Sequence, residues 1–322
     1  MILVTGGAGF IGSNVAAALA EQGLPVAICD RLRSGAKWRN IGKLELRDIV
    51  APEQIQDWLD EHGAALDAIV HMGAISATTE TDADLIVATN FRLSQLLWRW
   101  CARHGKRFIY ASSAATYGGA EAGFEDDWSM PALAQLRPLN AYGWSKLLFD
   151  RWAVREVALG NGQPPQWVGL KFFNVYGPNE YHKGGMMSVV AQKYAAAAAG
   201  EPITLFRSHR EGISDGGQRR DFVHVSDVAR ANVLALFAPA SVEGPFNIAS
   251  GQPRTVANLA FGLWEALGRP TEPPAVTGQW RLGDVRHIVA SPERAARELG
   301  FTAAVPFADG LAELAGVRAV GD

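Results

Sequence analysis

The sequence predicts an α/β fold: a doubly wound parallel sheet carrying a smaller C-terminal lobe. Three observations predict it. Apolar runs of strand length recur at Ile2–Thr5, 25–29, 67–71, 108–111 and 168–173. Stretches with helical spacing separate them, at Phe10–Glu21, 88–104 and 142–159. The strands are apolar throughout, as they must be when crossover helices cover both faces of a parallel sheet.

In chain order, Ile2–Thr5 is an apolar run closed by a glycine-rich turn, Phe10–Glu21 is helical, and 25–29 is the second run, so the first thirty residues read β-α-β. The runs at 67–71, 108–111 and 168–173 add strands in turn, with 88–104 and 142–159 as amphipathic crossovers. Beyond Asn174 the alternation weakens, and Gly, Pro and charged residues fill 177–185 and 207–221. Val225–Phe237 reads as one further helix and 244–249 as one further strand. The main domain therefore takes residues 1–173 with a returning segment, 222–250. Residues 174–221 and 251–322 form the lobe.

Composition narrows the function. With 322 residues, 48% of them hydrophobic, the chain can bury a large core and a smaller second one. Thirty basic residues oppose thirty-three acidic ones, net −3, and no basic run is long enough for a nucleic-acid footprint. Cys29 and Cys101 both fall in segments that read as buried, which argues against a disulfide framework or metal cluster and for a reducing cytoplasm. Residues 2–5 run straight into a glycine turn and the alanine run 195–199 is short, so neither a signal peptide nor a membrane span of about 20 residues is expected.

Gly6, Gly9 and Gly12, with Phe10 and Ile11 between the last two, follow a strand and open a helix. That context gives the spacing its meaning: a tight turn, close backbone approach to a pyrophosphate, and a helix dipole aimed at it. The main domain is accordingly of Rossmann type and binds a dinucleotide. Asp30, eighteen positions after Gly12, ends the second strand where a carboxylate would receive the adenosine ribose hydroxyls of NAD. Arg31, Arg33 and Lys37 follow at once. They either neutralise the extra phosphate of NADP or form a solvated basic loop. NADP is the expected cofactor, with NAD the alternative. Met72, Gly73, Ala74, Ile75 and Ser76 follow the strand ending at His71, the small residues among them letting the backbone pass close to the cofactor, and Asn90 begins the next helix, with an amide to offer nearby.

Chemistry is carried by Tyr142-Gly-Trp-Ser-Lys146. Positions i and i+4 share a helix face, so the Tyr142 hydroxyl and Lys146 ammonium can enter one cleft, where the cation stabilises a phenolate. Ser113 stands at the carboxyl edge of the strand ending near Ala111. Together they compose a hydride-transfer site: Ser113 holds the substrate hydroxyl, Tyr142 takes its proton, and Lys146 lowers the tyrosine pKa while contacting the cofactor ribose.

Tyr110-Ala-Ser-Ser-Ala-Ala-Thr-Tyr-Gly-Gly119, Phe172-Phe-Asn-Val-Tyr-Gly-Pro178, His182-Lys-Gly184 and Arg220-Asp-Phe-Val-His224, added to these motifs, make the chain resemble, over nearly its whole length, the nucleotide-sugar branch of the extended short-chain dehydrogenase/reductase family, most closely the epimerases of ADP-linked heptoses. The resemblance implies inversion of one hydroxyl carbon of an ADP-heptose destined for lipopolysaccharide core, a tightly held cofactor and a homo-oligomer. It assigns Lys183 a second proton-transfer role opposite Tyr142, Asn174 a hydrogen bond to the sugar, Val175 a contact with the nicotinamide, and Arg220 the diphosphate; Phe206, Arg207 and Ser208 match a substrate-facing loop. Departures from the pattern stand at Met72, at Gly185, at His287 in place of a substrate-contacting tyrosine, and in a longer 207–219 segment. A UDP-hexose 4-epimerase would use the same serine, tyrosine and lysine, but His182-Lys-Gly184 argues against it. Ala114 and Ala115 stand where a dehydratase would place acidic residues, and a non-catalytic dinucleotide sensor would have no need of both Tyr142 and Lys146.

Overall fold

The computed structural model describes residues 1–119, 124–206, 214–269, 274–277, 287–288 and 290–319. Strands β1 (Ile2–Thr5), β2 (Val26–Cys29), β3 (Asp48–Val50), β4 (Ala68–His71), β5 (Arg107–Ser113) and β6 (Trp167–Phe172) alternate with helices α1 (Phe10–Glu21), α2 (Ile55–His62), α3 (Ala83–Ile86), α4 (Leu93–His104), α5 (Met130–Gln135) and α6 (Ala141–Leu159). The lobe contributes β7 (Asn174–Tyr176), α7 (Val189–Ala198), β8 (Thr204–Phe206), β9 (Arg219–His224), β11 (Pro253–Thr255), α9 (Val256–Ala266), β12 (Ala275–Thr277), β13 (His287–Ile288) and α11 (Phe307–Ala319). Between them, α8 (Val225–Phe237), β10 (Gly244–Ile248) and α10 (Glu293–Leu299) return to the main domain.

The main sheet is parallel throughout, in the order β10-β6-β5-β4-β1-β2-β3. The chain reverses its winding between β1 and β4, whose neighbouring carboxyl ends open a crevice at the switch point. Side-chain alternation sorts the two faces. Ile2, Val4, Ile109, Val168 and Leu170 meet α1 and α8 on one; Leu3, Ile69, Phe108, Tyr110 and Trp167 meet α2, α4 and α6 on the other. On the second face Trp98 makes edge-on contacts with Phe108, Phe149, Trp152 and Trp167 at centroid distances of 5.2–6.2 Å. In the lobe β7, β11 and β13 pair with β9, and a further core gathers Tyr176, Tyr194, Phe222, Leu259 and Trp264.

The sequence reading named neither β3, α2 nor the lobe's own strands, and two further departures bear on the site. The helix expected from residue 88 begins at Ala83, where Asp82 caps it by accepting from Leu85 N at 2.9 Å, and runs through a π turn (Val87–Arg92) into α4. Asn90 is therefore interior to a helix. The segment holding α10, assigned above to the lobe, instead buries Ala295, Leu299 and Phe301 in the α1–α8 core. Arg294 fastens it, donating to the carbonyls of Glu243 and Pro245 at 2.8 and 2.7 Å with its guanidinium 3.8 Å from the Phe246 ring centroid.

Candidate active site

A cleft of about 1360 Å³ runs along the carboxyl ends of the sheet between the main domain and the lobe. Its floor is the glycine turn. Gly6 has φ +64°, and a Cβ there would stand 2.7 Å from the Gly73 backbone; one at Gly12 would stand 2.1 Å from Gly6 O. Both positions are therefore closed to any side chain, and α1 and the 72–76 loop press against the turn. Among the described residues no side chain caps α1 at Gly9 and no acid sits in its first turn, so its positive end faces the cleft unshielded. The groove fits the diphosphate of a dinucleotide.

At the end of β2 Asp30 accepts from Ala8 N at 2.9 Å and from Arg31 N at 2.7 Å, and pairs with the Lys37 ammonium. The Arg31 guanidinium is paired with Glu53 at 2.5 Å. Arg31 and Lys37 are thus engaged with acids at the cleft rim, which Arg33 also lines.

Met72, Gly73, Ala74, Ile75 and Ser76 line the cleft as expected, but what holds them lies behind. His71 Nδ1 is 2.6 Å from Thr5 Oγ1, which accepts from Gly73 N at 3.1 Å; His71 Nε2 is 2.8 Å from Ser94 Oγ, which donates to Asn90 O at 2.7 Å. The Ser94 proton is committed, so His71 donates from Nε2 and Thr5 donates to Nδ1. Burial, helped by the Lys146 cation, pushes the His71 pKa down to about 3 and keeps the ring neutral. Asn90 corrects the expectation of a cofactor contact. It is buried outside the cleft wall, its Oδ1 accepting from Ile75 N at 2.8 Å and its Nδ2 donating to Ile75 O and Ser145 Oγ, both at 3.0 Å. Its side chain is consumed in tying the loop to α6. The signal that could have placed it is the Asp82 cap, which moves Asn90 into the helix interior.

The three residues expected to carry chemistry meet at one wall. Ser113 ends β5, and its Oγ accepts from Ala115 N at 3.1 Å and hydrogen-bonds the Tyr142 hydroxyl. Asn140 caps α6 by accepting from Gly143 N at 2.8 Å, which presents Tyr142 in the first turn and Lys146 in the second. Lys146 is 5% exposed and donates to Ala111 O at 2.8 Å. Burial brings its pKa down to about 8, with Asp150 pushing the other way. Burial also raises Tyr142 above its ordinary value, the Ser113 hydrogen bond opposing it. Burial thus works against the phenolate that the chemistry calls for, and the Ser113 hydrogen bond works for it.

The lobe supplies the facing wall. Glu180, fully buried, accepts from Ser188 N and Oγ at 2.5 and 2.7 Å, and the 3₁₀ segment Tyr181–Met186 bends at Gly184 (φ 54°, ψ −129°) between these anchors. Lys183 is carried into the cleft with Nζ 5.6 Å from the Phe10 ring centroid; burial lowers its pKa and Glu180 raises it. Gly185, Asn174 and Val175 line the same wall, and Asn174 Oδ1 is buried without a hydrogen-bond partner. Arg220 is buried on β9, in register with Arg254, with Nη1 donating to Arg219 O at 2.8 Å, and is not among the lining residues. Asp221 accepts from Ser250 N, Ser250 Oγ and Gly251 N at 2.6–3.0 Å. Phe206 ends β8 and His287 opens β13, but their side chains, like Arg207 and Ser208 altogether, lie outside the described residues. An unforeseen set of asparagines bolts the lobe to the glycine turn: Asn40 donates to Ala8 O and Asn179 O, Asn14 to Pro178 O, and Asn179, itself at φ +76°, to Ser13 Oγ, all within 3.0–3.2 Å.

Residues 2–249 match the NAD dependent epimerase/dehydratase family. The chain is 45% identical over 269 residues to the ADP-L-glycero-D-manno-heptose-6-epimerase of Fusobacterium nucleatum, covering 83% of this chain and 80% of that protein. Among solved structures it is similar to the ADP-L-glycero-D-manno-heptose-6-epimerase of Helicobacter pylori, with a TM-score of 0.81 at 30% identity over 99% of this chain and 96% of that one. It is also similar to the UDP-glucose 4-epimerase of Thermus thermophilus in complex with NAD, with a TM-score of 0.80 at 28% identity over 100% and 99%.

Proposed function

The chain belongs to the NAD dependent epimerase/dehydratase family, and from that membership we propose that it inverts C6 of the heptose in ADP-D-glycero-D-manno-heptose to give the L-glycero epimer, a step toward the lipopolysaccharide core. The observation that carries the reading is the pairing of Tyr142 and Ser113 on one wall of the cleft with a half-buried lysine, Lys183, on the other. Relatives at 40–45% identity named for this reaction support it.

The cofactor is a nicotinamide dinucleotide, whose diphosphate would rest on the amides of the Gly6–Gly12 turn and whose adenosine ribose would meet Asp30. When bound, it supplies reversible hydride acceptance, so that oxidation of C6 and its reduction on the opposite face leave no net redox change. Ser113 Oγ holds the C6 hydroxyl, and Tyr142 Oη, as the phenolate, takes its proton on oxidation. The Lys146 ammonium stabilises the phenolate that accepts this proton. Once the sugar terminus has turned, Lys183 Nζ gives the C6 oxygen its proton on reduction, and Tyr142 and Lys183 return to their starting protonation by exchange with solvent. Asn174 Oδ1, buried and unpartnered, accepts from a sugar hydroxyl. Arg220 shares a strand face with Phe222, which reaches the cleft, and would meet the diphosphate. We assign NADP rather than NAD, because Lys37 already neutralises Asp30 and Arg31 already neutralises Glu53, leaving no net negative charge to repel a 2′-phosphate. A homo-oligomer in a reducing cytoplasm completes the proposal; Cys29 and Cys101 are buried free thiols, and among the described residues no helix is long and apolar enough to cross a membrane.

Incubating the purified protein separately with ADP-D-glycero-D-manno-heptose and UDP-glucose, and following the products by NMR, tests the reading. The C6 epimer is expected from the first and no change in the second. A product from UDP-glucose alone would establish the 4-epimerase instead, and NAD as the sole co-purifying dinucleotide would overturn the assignment of Lys37 and Arg31.

A further inference from the structure

Asp150 stands eight residues after Tyr142 and four after Lys146, on the same face of α6, and is fully buried. Its Oδ1 accepts from the Tyr110 hydroxyl at 2.9 Å and its Oδ2 from Ser112 Oγ at 2.8 Å, while the Lys171 ammonium of β6 lies 3.4 Å from Oδ2. Tyr110 and Ser112 flank Ala111 on β5, and the Ala111 carbonyl is the group that receives Lys146 Nζ. One carboxylate therefore grips the strand on both sides of the carbonyl that holds the lysine of the preceding helical turn. No step of the reaction described above uses it.

We propose that Asp150 is a positioning residue for the hydride-transfer site: it clamps β5 around Ala111 and supplies the fixed counter-charge that keeps Lys146 a cation beside Tyr142. The proposal rests on the reading of Tyr142 and Lys146 as the proton-transfer pair. The groups facing Lys146 are Tyr142 and Asp150 on its own helix, Ser113 on β5, and His71 on β4, which is neutral. Those facing Asp150 are Tyr110 and Ser112 on β5, Lys171 on β6, and Tyr117, whose ring centroid lies 4.9 Å from Lys171 Nζ. Among these charged and titratable groups Asp150 is the anion placed to stabilise the Lys146 ammonium, and burial works against it. Lys171 competes for the same carboxylate.

The competition makes the proposal testable in two opposite directions. Asp150→Asn keeps the shape but removes the charge, and is paired with Lys171→Gln so that no buried cation is stranded. In ¹³C NMR of the whole enzyme with labelled lysine, the Lys146 signal, assigned by its loss in Lys146→Arg, should titrate about one pH unit lower in the double variant. The alkaline limb of kcat should fall by the same interval with KM held within about twofold. Lys171→Gln alone releases Asp150 to Lys146 and should move both midpoints upward. Asp150→Glu should return the limb toward its original place. An unmoved Lys146 midpoint in both Lys171→Gln and the double variant, or a loss of turnover uniform across pH, overturns the proposal. The Lys146 midpoint is read without substrate, so a wild-type protein that fails to turn over ADP-heptose counts against the functional reading alone. If the double variant does not fold, the direction of the Lys171→Gln shift decides.

Discussion

Replacing Asn90 with alanine separates a cofactor contact from the role the structure assigns. Three hydrogen bonds are lost at once, two to the Ile75 backbone and one to Ser145 Oγ. A buried polar group left without its partner costs about 1–3 kcal/mol. Ile75 is partly exposed and recovers some of this from water, whereas Ser145 is fully buried and still donates to Tyr142 O at 2.7 Å. The expected destabilisation is therefore about 2–4 kcal/mol, near the low end for each of the three bonds and additive only in part. Urea unfolding of the purified enzyme, followed by tryptophan fluorescence and circular dichroism, measures it, with bound dinucleotide quantified in the same sample. A loss of stability with the dinucleotide still present at stoichiometric level is the predicted outcome, accompanied by a lower kcat because the 72–76 loop and the start of α6 lose their common tie. Unchanged stability with weakened dinucleotide binding would refute the reasoning and restore Asn90 to the cofactor.

Tyr142→Phe should lower kcat by about 10²–10⁴-fold while leaving the dinucleotide bound, since it removes one positioned proton and almost no volume; full turnover in this variant would end the catalytic assignment. Gly12→Ala should yield protein free of dinucleotide, because its methyl would lie 2.1 Å from Gly6 O and must push the turn out of shape; co-purification at the wild-type level would count against the groove. His71 ties acid sensitivity to the site. Its folded pKa of about 3 lies below the ordinary 6.5, so the unfolded chain binds the extra proton and stability falls as pH drops below 6.5, with the decline from this group ending near 3. By pH 5 the loss is about 2 kcal/mol, and His71→Asn should flatten that part of the pH–stability curve. Lys183→Met should slow epimerisation by at least about 10²-fold with the fold and bound dinucleotide retained, measured as turnover against dinucleotide content.

Some of this molecule is written in local pattern. Apolar strands separated by helical spacing, and a glycine turn that only a close-packed strand–helix junction needs, are short-range features, and they specified the parallel sheet, the groove and the wall bearing Ser113, Tyr142 and Lys146. The harder elements depend on partners distant in the chain. The helix at Ala83–Ile86 was missed because its apolar stripe is short, although the Asp82 cap was visible. The segment holding α10 was assigned to the lobe because nothing local reveals that Arg294 will close over Phe246. The lobe's sheet escaped altogether, since strands of two or three residues carry no measurable period.

The same division runs through the chemistry. By itself the sequence determined which reacting groups the protein owns, because a tyrosine and a lysine one helical turn apart must share a face. Their state was decided only by the tertiary structure. Burial raises the Tyr142 pKa and draws Lys146 down to about 8, and Asp150, one turn along the same helix, opposes the second shift. Whether a charge is stabilised depends on water excluded and on counter-charges brought near: Asp150 is a neighbour on the same helix, but the burial, and the β5 and β6 groups that share its carboxylate, come from residues far apart in the chain.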